Sequence, residues 1–304
     1  MSIIKSFDKL KEELVKKSVR KKVAVVWAAD DSTQQAVAQT LSDGFVEAVF
    51  VGYVRELQEL PLLLPHLDHI TFIDAATPDE AAEIAVSLVR EGKADVLMKG
   101  LINTDNLLRA VLNKETGILT RGNVLTHISV AQLPAYDKLL LFSDAAVIPY
   151  PTHEQRIKQV EYAAAMVRSL GIDEPRISLI HCSEKVNEKH FPHTAGYKEI
   201  AAMGQAGSFG RCIVDGPLDV KVSCCRESMV TKGISSPIDG QADVLIFPDI
   251  EAGNTFYKTI TLFAGAQTAG VLQGPNAPVV LPSRSDSTMS KYNSLAVAVM
   301  SLTH

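Results

Sequence analysis

The chain has 304 residues, of which 46% are hydrophobic and 21% charged, with a formal net charge of −5. This places it among globular chains rather than disordered ones, with enough length for two compact lobes. The acidic balance argues against broad binding to nucleic acid or an anionic membrane, and no uncharged apolar run reaches the ~18 residues of a membrane span.

Met1 to Leu14 mixes Lys, Glu and Asp with apolar residues and lacks the apolar core of a signal peptide, so a cytoplasmic protein is expected. Phe7, Leu10, Leu14 and Val15 fall at helical spacing and predict a first helix over 7–17. The basic run from Lys16 to Lys22 reads as the solvated end of that helix. A strand follows over 22–27, and Asp30-Asp31-Ser32-Thr33 supplies a cap for a helix over 33–41. Strands are expected over 48–52, 70–73 and 94–98, with an irregular proline-interrupted stretch over 57–67. Thr77-Pro78-Asp79-Glu80 has a cap, a proline at the first position and acids in the first turn, which starts a helix running to Glu91. Thr104 or Asp105 is expected to cap a helix through Leu107, Leu108, Val111 and Leu112. Repeated strand–helix alternation argues for parallel sheets covered by helices.

The second half continues the pattern. Strands are expected over 126–130, 138–142, 177–180, 212–218 and 242–248. Thr152 with Gln155 three residues on fits a capping box for a helix over 155–170. Helices are expected over 195–205, 223–232, 255–269 and 291–302, with 249–254 a loop and Gly270 closing the third of these. Cys182, Cys212, Cys224 and Cys225 show no ligand spacing and read as buried small hydrophobes in a reducing compartment. His190 and His193 read as surface histidines, and His127 is the histidine placed nearest a site.

Several strand ends deliver polar clusters: Lys99-Gly100, Ser143-Asp144, His181 to Lys185, Asp215-Gly216, Asp249 to Asn254 and Ser283 to Ser287. In an open parallel sheet, ligands bind at such carboxyl ends. Converging Lys99, Arg121, Arg284 and helix N-termini would suit a phosphorylated ligand. The stretch from Val279 to Thr288 concentrates this: a Val-Val-Leu run stopped by Pro282, then Ser283-Arg284-Ser285-Asp286-Ser287. Two readings stay open there, a polar strand tip that binds ligand and a simple cap by Ser285 or Asp286 for the last helix. The nucleotide and metalloprotease signatures GxxxxGK[ST] and HExxH are absent, and Gly204 to Gly210 spells GxxGxxG after a helix, a turn rather than a dinucleotide fingerprint.

Taken together, these residues resemble the phosphate acetyl- and butyryltransferase family. The resemblance lies in Asp95 to Gly100 with Thr104 and Leu107-Leu108-Arg109, and in Phe142 to Val147 with Pro151-Thr152. It continues through Asp215 to Leu218, Lys232-Gly233 and Ala242 to Leu245. It is densest in Ile250 to Lys258 and in Pro278 to Leu281 with Ser283 to Ser287. The short length and the Ser-Arg-x-Asp-Ser form are similar to the butyryl and branched-chain branch.

The resemblance implies a two-domain α/β/α fold with mostly parallel sheets, isocitrate/isopropylmalate dehydrogenase-like, and an active-site cleft between the domains. Residues 1–138 and 271–304 would form a discontinuous first domain and 139–270 the second. It implies reversible exchange of a short acyl group between CoA and phosphate, with CoA and acyl-CoA, phosphate and acyl phosphate as partners. It also implies no permanently bound cofactor, no metal, and a homodimer or larger assembly. Ser283 and Arg284 would hold acyl phosphate. Arg109 occupies the place of a phosphate-binding arginine in the acetyl branch. Lys99, Thr104, Arg121, His127, Ser143, Asp144, Asn254 and Lys258 complete the expected substrate contacts. The acetyl branch's aspartate base falls here on Ser290, so Asp286 is the candidate base. Pro282 and Asp219-Val220-Lys221 also depart from the family pattern. A phosphate acetyltransferase, a related dehydrogenase and a catalytically silent acyl-CoA or acyl-phosphate sensor are the alternatives, and turnover separates the last from an enzyme.

Overall fold

A computed structural model describes residues 2–303, which fall into two compact units. Residues 7–125 and 268–303 form a discontinuous unit, and residues 126–267 with 2–6 form a central unit.

The discontinuous unit starts with α1 (Phe7–Lys17), β1 (Lys21–Val26), α2 (Asp31–Ser42), β2 (Val46–Gly52) and the single turn α3 (Arg55–Gln58). A 3₁₀ turn over Leu64–His69 leads into β3 (Ile70–Asp74), α4 (Pro78–Arg90), β4 (Val96–Lys99) and α5 (Thr104–Val111). The central unit follows with β5 (Thr126–Gln132), β6 (Leu139–Ser143), α6 (His153–Ser169), β7 (Arg176–Ile180) and α7 (Tyr197–Gln205). It ends with β8 (Ile213–Leu218), the short α8 (Val220–Cys224) and α9 (Arg226–Thr231), β9 (Val244–Ile246) and α10 (Ile250–Phe263). The chain then returns through β10 (Gln267–Gln273), β11 (Val279–Val280) and α11 (Thr288–Ser301).

In the discontinuous unit the strand order is β3-β2-β1-β4-β11-β10. Its pairs are parallel except β10 with β11. The inner strands are buried on both faces: Val23 to Val26 and Val96 to Met98 are all inaccessible to solvent, as continuous apolar strand runs require. Helix α11 is buried along its whole middle, from Lys291 to Met300, and packs with α1 and α2.

The central unit has the order β5-β6-β9-β7-β8, parallel except for β5 with β6. That antiparallel pair holds residues 126–132 to 139–143. A boundary at residue 138 would cut it, so the units divide instead at 125/126 and 267/268. Leu140, Phe142, Leu245 and Phe247 form a core with Ile260 of α10.

Several local expectations change. Residues 249–254 are helical from Ile250, with Asp249 as N-cap accepting from Ala252 N at 2.8 Å. The helix ends at Phe263 and Gly265 takes φ +63°, so Gly270 lies inside β10. The 223–232 segment splits into α8 and α9 because Cys225 is extended between them. Of the cysteines only Cys212 is buried; Cys182 is exposed and the other two are partly covered. No helix of the described residues is long and apolar enough to cross a membrane.

Candidate active site

Three adjacent parallel strands of the discontinuous unit, β1, β4 and β11, end together: Val26 is in register with Lys99 and Val280 with Met98. Their carboxyl ends therefore deliver Asp30, Lys99 and Ser283-Arg284 to one edge. Gly100 permits the close approach. Its N–H donates to Val26 O at 2.8 Å, Leu101 N donates to Trp27 O at 2.7 Å, and a Cβ on Gly100 would lie 2.5 Å from Trp27 O.

Two lysines are buried here. Lys99 is 2% exposed, and its ammonium donates to Gly100 O at 3.1 Å. Lys291, on the first turn of α11, donates to Asp30 Oδ1 at 2.7 Å, Ser32 Oγ at 2.7 Å and Thr33 Oγ1 at 3.0 Å. Asp30 caps α2 through the same oxygen, which also accepts from Thr33 N at 2.9 Å and Ser32 Oγ at 2.8 Å. Its Oδ2 is buried and has no hydrogen-bond partner. Burial, then Arg284 and Lys291, push the Lys99 pKa below that of an ordinary lysine, against the pull of Asp30 and Asp286. Burial works to raise the Asp30 carboxyl, but the bonds from Lys291, Ser32 and Thr33 prevail and hold it below the ordinary range. Lys99 therefore feels two other cations, Arg284 and Lys291, and two carboxylates, Asp30 and Asp286.

The 283–287 turn is built by its own side chains. Ser283 N donates to Asp286 Oδ2 at 2.8 Å, Asp286 N donates to Ser283 O at 3.1 Å, and the Ser283 and Ser285 hydroxyls are 3.1 Å apart. Arg284 is exposed and donates through Nη2 to Asn103 Oδ1 at 2.6 Å. The cap of α11 is Ser287, which accepts from Ser290 N at 3.1 Å, so neither Ser285 nor Asp286 fills that role. Asn103 is the N-cap residue of α5, in place of Thr104 or Asp105, and offers its carboxamide oxygen to Arg284. Thr104 and Arg121 are exposed on the same unit. Arg109 is set apart from this turn: it lines a groove of α4 and α5 with Asp79, Glu83 and Arg90.

The central unit brings His127, Ser143, Asp144 and Asn254 together. Asp144 is 1% exposed, and the peptide before it is cis. Its Oδ1 accepts from Ala146 N at 2.8 Å and Val147 N at 2.9 Å. Its Oδ2 accepts from Thr126 Oγ1 at 2.8 Å, His127 N at 3.0 Å and Ile148 N at 3.2 Å. A carboxylate offers about four lone-pair positions, so Asp144 has no capacity left for a ligand. Ser143 is likewise buried, 3.2 Å from Thr126 Oγ1. The start of α10 seats on this turn: a Cβ on Gly253 would collide with Asp144 O, and Asn254 Nδ2 donates to Ala145 O at 3.0 Å. Lys258 is exposed, with its ammonium 4.9 Å from the centre of the Tyr257 ring.

A second polar group in this unit surrounds His193, which the sequence placed on the surface. Its ring lies 5.4 Å from that of His181 and 5.7 Å from that of Tyr197, and its Nε2 is buried without a partner. Burial first, then Arg156 and His181, push its pKa down to about 4. Arg156 is 2% exposed and donates to Pro248 O at 2.8 Å. Sequence reasoning missed Lys291 and Arg156, because charged residues on apolar helices read as solvated faces until their burial is known.

A parallel α/β unit whose adjoining strand ends carry two buried lysines, an arginine and a serine-rich turn defines an enzyme of the anion-handling α/β class. The chain belongs to the phosphate acetyl/butyryl transferase family, since residues 71–299 match the family described as "Phosphate acetyl/butaryl transferase". It is 36% identical to a phosphate butyryltransferase of Clostridium acetobutylicum, over 98% of each chain. It is 35% identical to a phosphate acetyltransferase of Thermotoga maritima, over 92% of this chain and 95% of that one. The crystal structure of a branched-chain phosphotransacylase from Enterococcus faecalis V583 matches with a TM-score of 0.82 at 31% identity, covering 93% of this chain and 99% of that chain. Family and fold class agree with what the sequence motifs implied.

Proposed function

We propose that this chain catalyses acyl-CoA + phosphate = acyl phosphate + CoA for a short acyl group, with butyryl or branched-chain groups favoured. The observation that carries the reading is the Lys99, Ser283 and Arg284 cluster on adjoining strand ends, in a chain that aligns over nearly its whole length with enzymes named for this reaction. A phosphoryl group needs fixed cationic and hydroxyl donors, and an arginine fork can hold two of its oxygens at once.

In the direction of acyl-CoA formation, a free thiol has a pKa of about 8.5, so removing its proton increases the nucleophile near neutrality. Asp286, which already fixes the Ser283 turn, is the base in this reading. The thiolate attacks the acyl carbonyl, the C–O bond to phosphate breaks, and the thiol proton passes by way of the carboxylate to the departing phosphate. Lys99 and Arg284 stabilise the charge that develops on that phosphate. Asn254, Lys258 and His127 are further candidate substrate contacts. CoA is a substrate in this scheme rather than a resident group. A homodimer or larger assembly in the cytoplasm completes the reading.

The test is CoA-dependent phosphate release from acetyl, propionyl, butyryl and isobutyryl phosphate. The reading expects the four-carbon substrates to be fastest. Acetyl phosphate leading the series would make the chain a phosphate acetyltransferase, and binding of all four without turnover would make it a sensor. For the base, Asp286→Asn should lose rate in a manner that recovers as pH rises, and an unchanged pH profile would remove Asp286 from the mechanism.

A further inference from the structure

Arg109 is an expected substrate contact that the Ser283 turn leaves unused. It lies on α5 and lines a groove of about 280 Å³ between α4 and α5. The groove carries both signs of charge, with Asp79, Glu83 and Arg90 from α4 and Arg109 from α5. Part of this is already spent. Arg90 donates to Thr116 O at 2.6 Å and to Ser87 Oγ at 3.2 Å, and one oxygen of Asp79 accepts from Asn106 Nδ2. Glu83 and Arg109 are different: both are exposed, and among the described residues neither side chain has a hydrogen bond or an ion pair. Val86 and Ala110 add a small apolar patch to the same groove.

A bare dianion in this groove would gain one free guanidinium and meet two carboxylates, while a simple cation would meet two guanidinium groups. A small ligand with one charge of each sign complements both walls. We propose that the α4–α5 groove binds a small aliphatic α-amino acid as an effector, with its carboxylate on Arg109, its ammonium on Glu83 and Asp79, and its side chain over Val86 and Ala110. A guanidinium can hold both oxygens of a carboxylate by parallel bonds, and an ammonium brings three hydrogens for the two acids. The volume is at the lower end for small-molecule sites, as a metabolite of this size requires. Helix α5 links the groove to the reaction. It is only eight residues long, and its N-cap residue Asn103 accepts from Arg284 Nη2 at 2.6 Å. An amino acid that ties α5 to α4 therefore steadies the residue that holds Arg284. The effect on turnover rests on the acyl-transfer reading above; binding in the groove does not.

The experiment is calorimetric titration of the full chain with L-valine, in the absence of any acyl substrate. L-valine should bind. Isovalerate and isobutylamine keep its branched chain with one charge each, and should bind at least about tenfold more weakly. Arg109→Gln and Glu83→Gln should each weaken L-valine about tenfold at an unchanged melting temperature, because both side chains are exposed. No binding of L-valine to the wild-type chain overturns the inference, as does isovalerate binding as tightly as L-valine. Binding of inorganic phosphate that Arg109→Gln abolishes would also overturn it, by making the groove a bare-anion site. In turnover, saturating L-valine should lower the KM for acyl phosphate about fivefold, and Asn103→Ala should remove that response while L-valine still binds. An unchanged or higher KM, or a response that survives in Asn103→Ala, would overturn the coupling. L-valine binding without acyl transfer would sink the reaction and leave the groove assigned. Acyl transfer without L-valine binding would do the reverse.

Discussion

Asp30 and Asp144 both lie past the carboxyl end of a buried strand, Asp144 directly after β6 and Asp30 beyond β1 as the cap of α2, yet they have opposite occupations. Asp144 accepts five hydrogen bonds and closes the turn on which α10 rests. Asp30 concentrates its bonds on one oxygen, leaves the other buried without a hydrogen bond, and pairs with the Lys291 ammonium. A polar residue at a strand end is therefore not enough to mark a ligand site. What distinguishes the two is remaining hydrogen-bonding capacity. By that measure the proposed anion chemistry belongs to the discontinuous unit, while the buried Ser143-Asp144 cluster serves as a structural joint.

The comparison can be broken by mutation. The largest effect is expected for Arg284→Ala, about 10²–10³-fold in kcat with an unchanged melting temperature, because an exposed arginine that stabilises charge contributes to turnover and little to folding. Near-normal turnover would take Arg284 out of the site. Next, Asp144→Asn should cost about 2–4 kcal/mol of stability in urea unfolding, since the amide nitrogen would face groups that themselves donate. Its folded fraction should keep its rate within about threefold. A variant of normal stability and no activity would show that Asp144 meets substrate after all.

The smallest effect concerns His193. Its folded pKa of about 4 lies below the ordinary 6.5, so between those values the unfolded chain holds more protons than the folded one. Stability should thus fall as pH drops through this window. His193→Gln should flatten that slope, and denaturant midpoints measured from pH 4 to 7 decide it. An identical slope in the variant would mean that the buried ring titrates normally.

The fold was legible wherever a local signal matched the final structure. The Thr152 capping box and the Thr77-Pro78 helix start are both present, and the apolar runs at Val23 and Val96 are inner strands. It was misread where a residue serves a distant neighbour. Gly253 and Asn254 look like helix breakers, but Gly253 is there to let α10 touch the Asp144 backbone. Gly270 looks like a helix stop because the apolar run from Thr255 continues past the true end at Phe263. Half of the anion cluster, Lys99 and Ser283-Arg284, stood out as polar strand tips. Asp30 read only as a cap, because its partner Lys291 lies 261 residues away and no local pattern links them.

That separation bears on when the site can come into being. Arg284 meets Asn103 across 181 residues, and Lys291 meets Asp30 across 261. Strand β11 also has to insert between β4 and β10. During synthesis, the residues of the central unit leave the ribosome before β11 and α11 exist. Contacts this remote carry a large loop-closure cost and tend to form late. Asp30 and Lys99 must therefore wait, hydrated, until residues 279–301 bring Arg284 and Lys291, so that completing the sheet and assembling this cluster are one event.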